Sequence, residues 1–289
     1  MTVLVLGSGG QLARHLRETL DDAVYWGRSE QSLEDAEALE AAIANLQPSS
    51  IVNAAAYTAV DEAEDEPALA WRINAEGAAA AARAAQSLGV PLVQVSTDYV
   101  FDGDSPRPYR AEDPTCPVSV YGKTKLAGEL AVSALAQRHY ILRVSWIFSE
   151  FAGNFVTTML RLASEREQLR IVSDQRGRPT YAGDLAKVIA TFLDRAGDPS
   201  LPWGTYHVSG GEATTWDEFA RRIFARAAEA RIIARAPVVD SIASSEYPTR
   251  ARRPSNSVLD PGELLGSVLP AKPDWHQGLE EVLERLRQR

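Results

Sequence analysis

The sequence predicts an α/β protein built on a doubly wound parallel sheet, with a smaller C-terminal α/β domain. Three observations predict it. Short apolar runs alternate with helical stretches over the first half, and a glycine-rich turn follows the first run at once. After about residue 146 the rhythm loosens into helices separated by Pro-, Gly- and Arg-rich stretches. Alternation of this kind yields parallel strands joined by crossover helices and covered on both faces.

The elements follow in order. Val3–Leu6, Ala23–Trp26, Ile51–Ala54, Leu92–Val95 and Ile141–Val144 read as strands, being short, apolar and bounded by turn residues. Between them Gln11–Leu20, Leu33–Leu46, Ala68–Leu88 and Lys123–Ala136 read as helices. The small side chains of Ala75–Ala85 suit a helix packed closely on the sheet. Phe155–Glu167 and Trp216–Glu229 read as helices of the second half, with irregular stretches at Asp174–Thr180 and Tyr247–Pro254.

Composition narrows the function classes. At 289 residues with 45% hydrophobic and 24% charged residues, the chain is long and apolar enough for a sizeable core. A net charge of −9 weighs against nucleic acid or an anionic membrane as partner, so a phosphorylated ligand needs local arginines. No apolar run approaches the roughly 20 residues of a membrane span, and the first residues read as a strand, not a leader. The lone Cys116 cannot form an internal disulfide, and a reducing cytoplasm fits. His15, His139, His207 and His276 are scattered without metal-ligand spacing, so no metal is expected and each reads as structural.

The first strand ends in Gly7-Ser-Gly-Gly10-Gln11-Leu12-Ala13. Glycines there permit a tight turn and let backbone N–H groups approach a pyrophosphate at a helix N-terminus. Leu12 stands where Gly-x-Gly-x-x-Gly needs its last glycine, and the pattern that fits is Gly7-x-x-Gly10-x-x-Ala13. This predicts a Rossmann-type dinucleotide-binding domain over 1–146, completed by part of 170–208, with 147–289 mainly substrate-binding. The second strand ends at Trp26-Gly27-Arg28 without the acid that usually holds an NAD ribose. Arg28 suits a 2′-phosphate, so NADPH is the expected cofactor and NADH the alternative.

Tyr121 and Lys125 stand four residues apart at the start of a helical stretch, one turn apart on one face. A phenol ordinarily titrates near a pKa of about 10, and an ammonium one turn away is expected to lower it. Ser96-Thr97-Asp98-Tyr99 follows a strand, where a parallel sheet presents residues to its ligand crevice. A hydroxyl at Thr97 suits a carbonyl oxygen while Tyr121 supplies a proton.

Together these residues resemble the Ser/Thr-Tyr-Lys triad of extended short-chain dehydrogenase/reductases. The chain is most similar to the dTDP-4-dehydrorhamnose reductase family. The similarity runs through Val52–Tyr57-Thr58-x-Val60-Asp61-x-x-Glu64, Ser96–Phe101, Tyr121–Lys125, Arg143-x-Ser-Trp146, Asp174–Thr180 and Ala251–Ser257. It implies that Thr97, Tyr121 and Lys125 form the catalytic group. It further implies that Gly10, Gln11 and Leu12 meet the cofactor pyrophosphate, and that Ala56, Tyr57 and Thr58 line its groove. Val60, Asp98, Tyr99 and Trp146 would border the sugar, with Arg176, Arg178, Arg252 and Arg253 as candidates for the diphosphate end. Asn74 falls where the superfamily has an asparagine that positions the lysine, whereas Asp61 and Glu64 read as an acidic helix start.

The implied activity is NAD(P)H-dependent reduction of the C4 ketone of dTDP-4-dehydro-L-rhamnose. Another nucleotide-sugar 4-ketoreductase, or a non-catalytic regulatory subunit resembling that of methionine adenosyltransferase, stands as the alternative. Dehydratases of the superfamily carry Asp-Glu after the threonine, and here Asp98 is followed by Tyr99. Oligomeric state stays open, and the family resemblance makes a homodimer one form to expect.

Overall fold

The computed structural model describes residues 2–263, 266, 269 and 271–288. Its centre is a sheet of six parallel strands, in the order β2-β1-β3-β4-β5 and then a strand from the second half. The first five are β1 (Val3–Leu6), β2 (Ala23–Trp26), β3 (Ser50–Asn53), β4 (Leu92–Thr97) and β5 (His139–Val144). The sixth, Gly204–Val208, pairs in parallel with β5 from Tyr140 to Val144. The order reverses between β1 and β3, and that switch point opens a crevice at the carboxyl ends of the strands.

Alternate side chains of one strand feed opposite faces, as the two-residue period of a strand requires. Leu4 and Leu6 of β1 join a core with Ile43, Ile51, Ala81 and Leu92. Val5, between them, joins another with Leu16, Val52, Leu142, Leu185 and Phe192. The first face is covered by α2 (Ala36–Leu46), α4 (Gly77–Leu88) and α5 (Val120–Leu135). The other is covered by α1 (Gln11–Thr19) and α7 (Ala182–Asp194).

The second half adds a separate core of Phe148, Ile171, Phe219, Phe224, Trp275 and Leu279. It gathers α6 (Phe155–Glu165), α8 (Trp216–Glu229), the C-terminal helix Trp275–Arg287 and a two-stranded parallel sheet, Gln168–Val172 with Val238–Ile242. Among the described residues no helix is long and apolar enough to cross a membrane.

One expected element differs. The run read as a single helix over Ala68–Leu88 is Pro67–Trp71 (α3), a π turn over Arg72–Glu76, and then α4. Asn74 in the wide turn explains it, because its side chain serves another segment. Asn74 Oδ1 accepts from the Tyr57 N–H at 2.8 Å, and Nδ2 donates to Tyr57 O at 3.1 Å and to Thr124 Oγ1 at 3.0 Å. Here α5 also comes close: a Cβ on Gly128 would lie 2.3 Å from the Asn74 carbonyl oxygen. Gly128→Ala is therefore expected to cost about 1–3 kcal/mol by overpacking. Urea unfolding should show a lower midpoint with an unchanged slope, and an unchanged midpoint would refute the constraint.

Candidate active site

A cavity of about 820 Å³ runs along the carboxyl edge of the sheet, from Gly7–Ala13 and Trp26–Arg28 to Trp146, Trp216 and Arg253. Its floor at one end is the glycine turn. Gly7 has φ +106°, a conformation that side-chain-bearing residues rarely adopt, and Gly9 and Gly10 have open space where a Cβ would stand. Gly10 caps α1 without a side chain, and the first turn of that helix holds no acid. The first N–H groups of α1 therefore face the cavity uncapped, a cradle suited to a pyrophosphate. Gln11 and Leu12 line it, and Gln11 is steadied by Ser149, whose Oγ donates to Gln11 Oε1 at 3.0 Å. Beside the turn Gly27 and the exposed Arg28 border the same end of the cavity. The Gly27 N–H is already held by Glu30 Oε2 at 2.7 Å.

Thr97, Tyr121 and Lys125, distant in sequence, meet on this cavity. Thr97 ends β4, and its Oγ1 donates to Asp98 Oδ1 at 2.9 Å. The Ser119 hydroxyl caps α5 by accepting from the Gly122 N–H, placing Tyr121 in the first turn and Lys125 one turn on. Glu64 Oε1 accepts from the Val120 N–H at 2.8 Å, so Glu64 completes the cap of a helix far from it in sequence. Lys125 is buried, and its Nζ donates to the Val95 carbonyl at 2.7 Å.

Burial sets the electrostatics. It raises the Tyr121 phenol above its ordinary range, the Thr97 hydrogen bond pulls it partly back, and Asp98 and Tyr99 push it up further. The expectation that Lys125 lowers this phenol is corrected: desolvation dominates, and the ammonium is directed at Val95 O. Burial also pulls Lys125 down to about 8, against the attraction of Glu129. Asp98, buried in the same wall, is pushed up to about 6 by burial despite hydrogen bonds from Ser257 and Thr97.

Beside Tyr121, whose ring Tyr99 meets edge-on at 5.5 Å, the wall is held by a charged bracket. Arg253 Nη1 donates to the Tyr99 hydroxyl at 3.1 Å, and Nη2 donates to Asp61 Oδ2 at 2.7 Å. Asp61 Oδ1 in turn accepts from the Ala251 N–H. Asp61 and Glu64 do stand at an acidic helix start, the short turn Glu62–Glu64 with Asp61 before it, and in addition serve Arg253 and α5. Ala56, Thr58, Val60, Asp98, Tyr99 and Trp146 also line the cavity.

Two expected site residues turn elsewhere. The Tyr57 hydroxyl donates to Glu66 Oε2 at 2.6 Å, a bond that pushes its pKa up to about 12, and its side chain does not line the cavity. Arg178 Nη1 donates to the Leu259 carbonyl at 2.7 Å and stays outside the cavity wall. Arg176 and Arg252 are exposed and likewise outside it. Trp216 and Ile147 were not expected and do line it, brought there by the second half of the chain.

Away from the cavity, the structure gathers His15, Glu18 and Glu150 with ligand-type atoms within 4.8 Å of one another. Helical spacing joins the first two, but Glu150 comes from a distant loop. Arg285 Nη1 lies 2.8 Å from Glu18 and 3.1 Å from Glu150, so a guanidinium balances these carboxylates.

The whole chain from 1 to 288 matches the family profile described as the RmlD substrate binding domain. It is 40% identical to a dTDP-4-dehydrorhamnose reductase of Sinorhizobium fredii, over 98% of this chain and 97% of that protein. Among solved structures it resembles a dTDP-4-dehydrorhamnose reductase of Clostridium acetobutylicum, with a TM-score of 0.92 and 34% identity over 99% and 100% of the two chains. A dTDP-4-dehydrorhamnose reductase of Bacillus anthracis in complex with NADP superposes with a TM-score of 0.91 at 35% identity, over 98% and 99% of the two chains.

Beneath Lys125, Arg143 holds Glu129 through Nη2 at 2.7 Å and Nε at 3.0 Å, both side chains being almost wholly buried. Removing one partner leaves a buried charge uncompensated, so Arg143→Met is expected to cost about 3–5 kcal/mol. The double variant Glu129→Leu with Arg143→Met should recover most of it in denaturant unfolding. Additive losses would contradict the pairing.

Proposed function

The chain belongs to the dTDP-4-dehydrorhamnose reductase family, and from that premise we propose that it reduces the C4 ketone of dTDP-4-dehydro-L-rhamnose to dTDP-L-rhamnose with NADPH. The observation that carries this reading is the meeting of Thr97, Tyr121 and Lys125 on a cavity floored by a glycine turn and an uncapped helix N-terminus. A reduced nicotinamide bound there supplies hydride.

The chain's own residues supply the rest. Tyr121 donates its proton to the ketone oxygen as that oxygen gains charge. Burial keeps the phenol protonated at neutral pH, and the developing alkoxide, far more basic than a phenolate, draws the proton across. The Thr97 hydroxyl, turned from Asp98 Oδ1 to the substrate, orients the same oxygen. Lys125 spends one N–H on Val95 O and keeps two donors for the ribose of the nicotinamide half, while its charge offsets the developing alkoxide.

Gly7, Gly10, Gln11 and Leu12 hold the pyrophosphate, and Ala56 and Thr58 line the groove beside it. Val60, Asp98, Tyr99 and Trp146 border the sugar. Arg253, held by Asp61, is the guanidinium for the diphosphate of the sugar nucleotide. Tyr99 stands where an eliminating enzyme needs a carboxylate, which favours reduction. Arg28 beside Gly27 and the NADP complex of the Bacillus anthracis relative support NADPH over NADH. The acidic charge and lone cysteine fit a cytoplasmic enzyme.

Incubation of the purified protein with dTDP-4-dehydro-L-rhamnose should consume one NADPH per product, with a lower kcat/KM for NADH. A strong NADH preference would overturn the cofactor assignment, and no consumption would overturn the activity. Tyr121→Phe should lose roughly a hundredfold or more of kcat while binding NADPH normally; near-normal turnover would refute its role. The ammonium of Lys125 is present below a pKa of about 8 and lost above it. The rate of reduction should therefore fall as pH rises through that value, and a rate rising there would contradict the role of its charge.

A further inference from the structure

We propose that Trp216 is a positioning residue of the sugar subsite, holding the indole of Trp146 in the one orientation that borders the substrate. This rests on the reduction proposed above, and it assigns a residue that lies 70 positions from Trp146. Trp146 follows β5 with φ 50°, a left-handed backbone that costs a non-glycine residue about 1–3 kcal/mol. Such a conformation persists only where surrounding contacts determine it.

Those contacts form a sandwich. On one side the Trp216 ring stacks on Trp146 with centroids 3.4 Å apart and planes 7° from parallel. Towards Gly177, a Cβ would lie 2.3 Å from Trp146 Cε2 and 2.6 Å from both Cζ2 and Nε1, so it would stand over the ring itself. Only glycine fits there. Trp216 is itself fixed. Its Nε1–H donates to Gln175 Oε1 at 3.2 Å, and Gln175 Nε2 donates to Ser244 Oγ at 2.9 Å. Phe155 packs against it at 4.5 Å.

Both indoles border the cavity. With both faces of Trp146 covered, an edge is what that ring offers a ligand. A rigid indole edge beside an apolar ring suits the C–H face and methyl group of a 6-deoxy sugar, and little rotamer entropy is lost on binding. The stack thus ties the sugar subsite to the second half of the chain.

Three variants test this: Trp216→Ala, Trp216→Phe and Gly177→Ala. Trp216→Ala should abolish the far-UV exciton circular dichroism of the stacked pair. It should raise KM for dTDP-4-dehydro-L-rhamnose about tenfold and leave KM for NADPH within about twofold. Trp216→Phe, which keeps a ring, should return the sugar KM to within about threefold of the parent. Gly177→Ala, which presses on Trp146 from the other side, should shift the sugar KM in the same direction as Trp216→Ala. An unchanged sugar KM despite loss of the exciton signal would overturn the proposal while leaving the reduction intact. Equal rises in both KM values would overturn it as general damage to the fold. Absence of turnover by the parent protein would overturn both readings at once.

Discussion

The close approach of α5 to the π turn and to the end of β4 is the constraint on which the site depends. Two glycines make it possible. A Cβ at Gly128 would run into the Asn74 carbonyl, and one at Gly122 would lie 2.2 Å from the Tyr99 carbonyl. Only a helix lying this close brings Lys125 Nζ within 2.7 Å of Val95 O and sets Tyr121 beside Thr97. Asn74 locks the contact by joining Tyr57, Thr124 and its own turn through three hydrogen bonds. The site is therefore a consequence of close packing at two glycines near Tyr121 and Lys125 on α5.

The same packing determines the charge states. Removing water from this corner raises Tyr121 and Asp98 and lowers Lys125, the three directions that desolvation alone dictates. A phenol holds its proton at neutral pH even without burial, so desolvation here keeps Tyr121 neutral and leaves the basicity of the oxygen it faces to draw the proton. A chain with a net charge of −9 must then attract anionic ligands locally. The uncapped helix N-terminus at Gly10 and Arg253, held by Asp61, are the local features suited to that, in place of a general field.

Legibility in the sequence followed the range of the interactions. The strand–helix alternation, the glycine turn and the Tyr121–Lys125 spacing are local patterns, and the parallel sheet followed from them. Thr97 was legible because it ends a strand. The roles of Glu64 and Asp61 were not, since each serves a partner brought close only by folding. The π turn was hidden because its cause is a hydrogen bond to Tyr57 and Thr124, not a breaker residue. Tyr57 and Arg178 carry the right chemistry in the right segments, yet Glu66 and Leu259 claim their polar ends. Trp216 carried no local signal, because its partner Trp146 lies on another element.

Net transfer of hydride to the sugar separates a reductase from superfamily members that return it to their cofactor. Turnover with NADPH deuterated at the transferring position of the nicotinamide, followed by mass and NMR analysis of the sugar, reads that transfer directly. The account predicts one deuterium per product, at C4, with an equal amount of oxidised cofactor. Product free of deuterium, or label at another carbon, would contradict it.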